Sequence, residues 1–317
     1  LSPTSRRLAA LTVACALLAA GCANREQAAT DQSPASSEAP TPAFPVTITP
    51  ATGDPVTIER QPERIVSLSA SNTETLYAVG AGKQVTAVDD QSDYPADAPK
   101  TDLSGLTPNV EAISGYKPDL VVVSDDVDNL VESMAAVRVP ILVVPAAATL
   151  DDVYAGMELI GRATGHSDEA ADLVDRTKAG LDKVVADTPK PSKPLTYYHE
   201  LDTTLYSATS KTFIGQIYGL FGLENIADPA DKDGGGYPQL SNEAILSANP
   251  DLIFLADVQC CAQNATTVAA RPGWSTLTAV KDGNVVELDD DLASRWGPRI
   301  VDLAESIADA VEKAGKS

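Results

Sequence analysis

Asn109–Asp125 reads NVEAISGYKPDLVVVSD, and 132 positions further on Ser241–Asp257 reads SNEAILSANPDLIFLAD. In both copies Glu-Ala-Ile is followed, five residues after the Ile, by Pro-Asp-Leu and then by an apolar run, Val121–Val123 or Ile253–Leu255. Each copy predicts a short helix that ends before the proline, which cannot extend a helix and pushes its predecessor to extended geometry. The apolar run predicts a parallel strand buried on both faces. The period is too long for a solenoid repeat. It predicts two similar α/β lobes, and the cleft between two lobes is a default place for a ligand.

Outward from these copies the pattern keeps alternating strand and helix. Before the first copy, Arg64–Ser69 predicts a strand, Asn72–Val79 a helix capped at Ser71 or Asn72, and Val85–Val88 the next strand. Residues 151–189 break the alternation with nearly forty residues of helical pattern, divided near Gly165. In the second piece Ala170, Leu173, Val174, Thr177, Leu181, Val184 and Val185 recur at helical spacing. A helix over Ser167–Asp187 would run about 30 Å, the width of a small domain. The fold class is therefore α/β: two similar lobes, each a parallel sheet flanked by helices, joined by one long rigid helix with the ligand cleft between them. The expected divisions are 46–150 for the first lobe, 151–190 for the connecting helices and 191–317 for the second lobe.

Composition narrows the partners. The 317 residues suffice for two cores. A net charge of −22 argues against nucleic acid, whose affinity rests on Lys and Arg. Two histidines, His166 and His199, exclude a three-histidine zinc site, and no CxxC spacing occurs among the four cysteines. No G-x-S-x-G elbow and no glycine loop followed by Lys-Ser or Lys-Thr is present, which counts against a serine hydrolase and a P-loop enzyme.

Residues 1–21 have the parts of an export signal: Arg6 and Arg7, the apolar run Leu8–Ala20 and a small-residue end. Leu18-Ala-Ala-Gly-Cys22 resembles the lipobox of bacterial lipoproteins, which implies a lipid on Cys22. Residues 22–45, rich in Ala, Ser, Pro, Thr and acid, read as a disordered tether of about 25 Å. The expected location is outside the cytoplasm, lipid-anchored on the outer face of the cytoplasmic membrane, or in the periplasm.

Taken together, signal, tether, two lobes and helical strut resemble the substrate-binding proteins of metal-chelate ABC importers, which take ferric siderophores, haem or cobalamin. The resemblance runs from about Glu63 to Val311. It rests on Arg64-Ile-Val-Ser-Leu-Ser69, Asn72-Thr-Glu-Thr75, Ser92-Asp-Tyr-Pro95, the two repeats and Arg295-Trp-Gly-Pro-Arg299. Ser92-Asp-Tyr-Pro95 looks most like the cobalamin branch, which places a corrinoid ahead of a siderophore or haem. The resemblance implies no catalysis and no resident cofactor, a metal chelate as ligand, and an ABC permease dimer with its ATPase as partner. It also implies that Glu111 and Glu243 dock onto that permease. The plainer role of both glutamates is an acid in a helix's first turn, worth about 0.3–1 kcal/mol.

Ligand contacts should come from loops after the strands, as in open α/β sheets generally. The candidates are Ser71, Asn72, Tyr94, Tyr206, Tyr237, Arg295 and Trp296: aromatic faces for a flat chelate, polar groups for its orientation. Each tyrosine alone could equally be a packing residue, and Arg299 at a helix start reads as an ion-pair partner. His199 could be an axial ligand to a chelated metal, although a lone histidine more often packs. Cys260 and Cys261 could form a vicinal disulfide outside the membrane or remain two thiols. The rival classes are an exported enzyme on the same fold and a ligand sensor without a transporter.

Overall fold

The structure is a computed structural model that describes residues 44–50 and 54–316. The export signal, Cys22 and almost all of the tether lie outside the described residues. The chain opens with an antiparallel pair, β1 (Val46–Ile48) and β2 (Val56–Ile58). The first lobe follows as β3 (Ile65–Leu68), α1 (Ala70–Ala78), β4 (Val85–Val88), α2 (Val110–Gly115), β5 (Leu120–Val123), α3 (Leu130–Ala136) and β6 (Ile141–Val143). Two helices, α4 (Leu150–Thr164) and α5 (Ser167–Asp187), cross to the second lobe. That lobe begins with β7 (Thr196–Glu200), α6 (Phe213–Leu220), β8 (Glu224–Asn225), α7 (Asn242–Ala248) and β9 (Leu252–Leu255). Short helices α8 (Val258–Cys261), α9 (Ala265–Ala269) and α10 (Thr278–Lys281) come next, then β10 (Val285–Glu287), α11 (Asp290–Ser294) and α12 (Ile300–Ala314).

Both sheets are wholly parallel, and their strand orders match. The first runs β4-β3-β5-β6 and the second β8-β7-β9-β10. Register agrees as well, since Ile65 lies beside Leu120 as Tyr197 lies beside Leu252. The repeated motif therefore occupies the same place in each lobe, the helix before the third strand of the sheet and that strand itself.

The Pro-Asp-Leu aspartates show why the motif recurs. Asp119 accepts the backbone N–H groups of Glu63 and Arg64 at 3.0 and 2.9 Å, where the chain enters β3. Asp251 accepts the N–H of Thr196 at 2.9 Å, at the start of β7. Each aspartate pins the central strand to its neighbour and satisfies donors that the ladder leaves over. Burial alone would raise the Asp251 carboxyl, but the Thr196 bonds and Lys193 hold it below the usual range.

One local expectation fails. The residues before the two prolines, Lys117 and Asn249, are left-handed, with φ of +52° and +46°, rather than extended. A left-handed residue just past a helix ties off a free carbonyl and turns the chain toward the strand, which here outweighs the pre-proline preference. Asn249 does this directly, its N–H reaching the Ile245 carbonyl at 3.0 Å.

The sheets also share a core. Ile65, Leu120, Val122 and Leu142 of the first and Tyr197, Leu252 and Phe254 of the second join one continuous apolar cluster. It includes Met157, Ile160, Leu173, Val174 and Leu181 of the crossing helices and Ile300, Leu303 and Ile307 of α12. The outer faces have separate cores, around Val121 and Met134 in one lobe and around Tyr198 and Trp274 in the other. The connection is thus broader than one strut: α12 packs along α5, and bending the lobes apart would open a common interior.

Candidate functional site

A cleft of about 800 Å³ lies at the C-terminal ends of the first sheet's strands. Ser69, Asp89, Ser124 and Asp125 come from the loops of the first lobe and Ser71 from the first turn of α1, and Asp291, Ser294, Arg295 and Trp296 close it from the second. Gly105 on its wall has no room for a side chain, because a Cβ there would stand 2.5 Å from the Leu68 carbonyl oxygen.

The loop after β4 is fastened by hydroxyls. Ser67, Thr73 and Ser92 form a buried chain with contacts of 2.8 Å, and Ser92 donates to Asp89 at 2.5 Å. Burial raises the Asp89 carboxyl above its ordinary range, and the Ser92 bond only partly offsets that. Ser92 of the Ser92-Asp-Tyr-Pro95 motif therefore anchors the loop, leaving Asp93 and Tyr94 to face the second lobe.

There they meet an ion-pair clamp. Glu74 on α1, with its side chain 1% exposed, accepts from Arg295 at 2.9 Å and from Arg299 at 2.8 and 2.6 Å. Arg295 also pairs with Asp93 at 2.9 Å and Asp291 at 2.7 Å, and donates to the Gln91 carbonyl. Arg299 lies 4.2 Å from the centre of the Tyr94 ring, a cation–π contact. Burial would raise the Asp93 carboxyl, but its bond to Arg295 holds it low. Arg295, expected at the ligand, thus stands on the cleft wall already committed to three carboxylates. Glu74 was missed by sequence reasoning. Its signal was an acid between Thr73 and Thr75 on a helix whose neighbouring side chains are all buried, and only the fold supplies the two arginines more than 200 positions away.

The other candidates fall into groups. Trp296 lines the cleft with its indole N–H buried without a partner, and Ser71 borders it although only 3% exposed. Asn72 corrects an expectation: it is buried, and its side-chain amide bonds the carbonyls of Val123 and Val144 at 3.3 and 3.2 Å, tying β5 to the exit of β6. Tyr94, Tyr206 and Tyr237 are 46, 41 and 50% exposed. Tyr206 and Tyr237 sit on two hydrogen-bonded loops of the second lobe, through the pairs Tyr206–Gln239 and Ser207–Pro238. Neither lines the cleft wall described above.

His199 also corrects an expectation. It is wholly buried on β7, on the face of Tyr197, and its Nδ1 lies 2.9 Å from the Tyr218 hydroxyl. Burial lowers its pKa to about 4, so it is a neutral core residue out of reach of a metal chelate. Glu111 and Glu243 are exposed in the first turns of α2 and α7, behind the caps Asn109 and Ser241. Cys260 and Cys261 are free thiols on α8, the first exposed and the second half-buried. Contact with Cys261, burial and the charge of Asp290 push the Cys260 thiol up to about 12.

The second lobe holds a buried acid pair where its strands end. Glu200 forks onto Arg271 at 2.6 and 2.5 Å, and Arg271 in turn covers the Trp274 ring at 4.6 Å. Asp257, fully buried beside this pair, has its carboxyl raised to about 7 by burial and by the Glu200 charge.

Comparison with known proteins fits this geometry. The periplasmic binding protein family matches residues 65–292. The chain belongs to that family. It is 33% identical over 312 residues to a Bacillus subtilis protein described as an uncharacterized ABC transporter substrate-binding lipoprotein, covering 96% of this chain and 95% of that one. It is 34% identical to a cobalamin-binding protein of Halobacterium salinarum, over 84% of this chain and 74% of the relative. A solved structure from Staphylococcus epidermidis, described as a possible iron-binding periplasmic solute-binding protein, superposes with a TM-score of 0.70. It is 28% identical, with 80% of this chain and 99% of that chain covered. This periplasmic binding protein is a binding protein and not an enzyme.

Proposed function

We propose that this periplasmic binding protein captures a metal chelate, a corrinoid such as cobalamin before others, and delivers it to an ABC import permease with its ATPase. The observation that carries this reading is the cleft between two clamped lobes in a chain 34% identical to a cobalamin-binding protein. A space of about 800 Å³ suits a ligand held by burial with a few polar groups for orientation. Among the described residues no three His, Cys, Asp or Glu side chains gather as a metal site, so the metal would arrive inside its own ligands. The shared core and the Glu74 clamp favour binding with little closure of the lobes. Ser71, Trp296 and Arg295 would face the ligand, with Tyr94, Tyr206 and Tyr237 at its margins. Glu111 and Glu243 would dock on the permease, and a lipid on Cys22 would hold the exported protein at the membrane. The Staphylococcus epidermidis likeness favours, as a second reading, a ferric siderophore in the same cleft.

Tryptophan fluorescence of the full chain, titrated with cyanocobalamin, a ferric hydroxamate siderophore and haemin, tests this. Both tryptophans report, the buried Trp274 through space and Trp296 from the cleft wall. Saturable quenching by cyanocobalamin, reduced in Trp296→Phe, supports the corrinoid. Saturation by the siderophore or haemin instead replaces the ligand and keeps the importer. No response to any of the three removes the chelate reading.

A further inference from the structure

The adjacent thiols of α8 sit against the element that builds the second wall of the cleft. The Asp290 carboxylate, at the start of α11, accepts the backbone N–H groups of Val258, Gln259 and Cys260 at 2.8, 3.1 and 2.8 Å. The grip is mutual, since the Gln259 side-chain oxygen accepts the Asp290 N–H at 2.8 Å. The next residue, Asp291, lines the cleft and holds Arg295 of the clamp. The rest of α8, four residues bounded by the left-handed Ala262, is held by Val258 packing on the outer core, by the Gln263 side-chain N–H donating to the Cys261 carbonyl at 3.0 Å and by a 3.3 Å bond from the Cys261 N–H back to the Asp257 carbonyl.

We infer that Cys260 and Cys261 are a reversible oxidation site whose closure to a ring loosens α8 from Asp290 and so alters the second-lobe wall of the cleft. Neighbouring Cα atoms stand about 3.8 Å apart, short of the 4.4–6.8 Å usual for a disulfide. Successive side chains on a helix diverge by about 100°, so the bond cannot form while residues 258–261 stay helical. Closing it must rotate the peptide between the cysteines, which carries the Cys261 N–H bonded to the Asp257 carbonyl and pivots at the Cα next to the Cys260 N–H held by Asp290. A strained, exposed disulfide of this kind is readily reduced again.

The oxidant is a small-molecule disulfide. The thiolate of one cysteine attacks a sulfur of that disulfide, forming a mixed disulfide and releasing one thiol. The second cysteine, deprotonated, attacks the protein sulfur of the mixed disulfide, which closes the Cys260–Cys261 bond and releases the second thiol. The protein gives up two hydrogens and two electrons, and the external disulfide takes them.

The test treats the reduced full chain with glutathione disulfide and follows the proteolytic peptide that contains both cysteines, together with amide hydrogen exchange. The expected peptide is lighter by two hydrogen atoms and resists alkylation, and dithiothreitol restores both thiols. Cys261→Ser should stop at the glutathione adduct. Exchange at Val258–Cys260 should quicken about tenfold or more on oxidation of the native chain and stay unchanged in Cys260→Ser. Persistent adducts on the native chain, or two alkylatable thiols after treatment, would overturn the ring. A ring that leaves exchange at these amides unaltered would overturn its coupling to Asp290.

Discussion

The two lobes share a strand order, a register and a repeated motif, yet they finish their sheets differently. Counted along the register, Asp125 of the first lobe corresponds to Asp257 of the second. Asp125 is exposed on the cleft wall, whereas Asp257 is buried beside the Glu200–Arg271 pair. The first lobe leaves its strand ends open. The second covers them with α8 and α9 and puts its charges inside. A duplicated scaffold thus provides one receptive end and one filled end, and the difference lies in the inserted helices, not in the strands.

The equivalence of the repeats can be broken at their surface. Changing both Glu111 and Glu243 to Arg should abolish import in a reconstituted transporter, with chelate affinity unchanged. Either change alone should leave partial transport, since one lobe can still dock. Transport that survives the double change would reduce both glutamates to helix-start acids.

Removing the clamp should have the next largest effect. Glu74→Ala strips Arg299 of its carboxylate and leaves Arg295 only Asp93 and Asp291, and should cost about 3 kcal/mol in urea unfolding. Glu200→Ala strands one arginine that still reaches Gln263, and should cost less. An equal loss would mean that the lobe-to-lobe clamp has no special weight.

The buried acid then predicts a pH effect of definite sign. A folded pKa near 7 against an unfolded value near 3.8 means that Asp257 keeps a proton in the folded state that the unfolded chain has lost. Its contribution to stability therefore falls as pH rises from about 4 to 7 and stays low above that. Asp257→Asn copies the protonated form, so it should gain on the order of 2 kcal/mol at pH 8 and little at pH 4. Asp125→Asn, on the open wall, should shift stability by less than about 0.5 kcal/mol at either pH. Chemical denaturation at the two pH values checks both.

The smallest contrast is at the helix exits. Lys117 and Asn249 both adopt left-handed backbone, which lysine tolerates less well than asparagine. Lys117→Gly should stabilise by about 0.5–1 kcal/mol and Asn249→Gly by less, measured as shifts in melting temperature.

Much of the scaffold was legible in the chain because its signals are local. The apolar runs at Val121 and Ile253, the prolines ahead of them and the helical spacing from Ala170 to Val185 each depend on neighbours a few residues away. The exposed glutamates of the repeats were legible for the same reason, since a first-turn acid shows in the sequence. The site was legible only in outline. Of the residues named from loops after strands, Ser71 and Trp296 stand on the cleft wall while Asn72 ties two strands, and His199 lies in the core, because the face a side chain takes depends on what packs over it.

The sequence by itself determined that this protein has two related α/β lobes, bridged by helices, with loops facing across a cleft, since periodicity and turn chemistry are written within a few residues. Only the tertiary structure decided that both sheets share one core, that Glu74 binds Arg295 and Arg299 and that Asp257 is buried while Asp125 is not. Those outcomes depend on burial and on partners far apart in the chain, and the energy of a charge is set by its surroundings rather than by its place in the sequence.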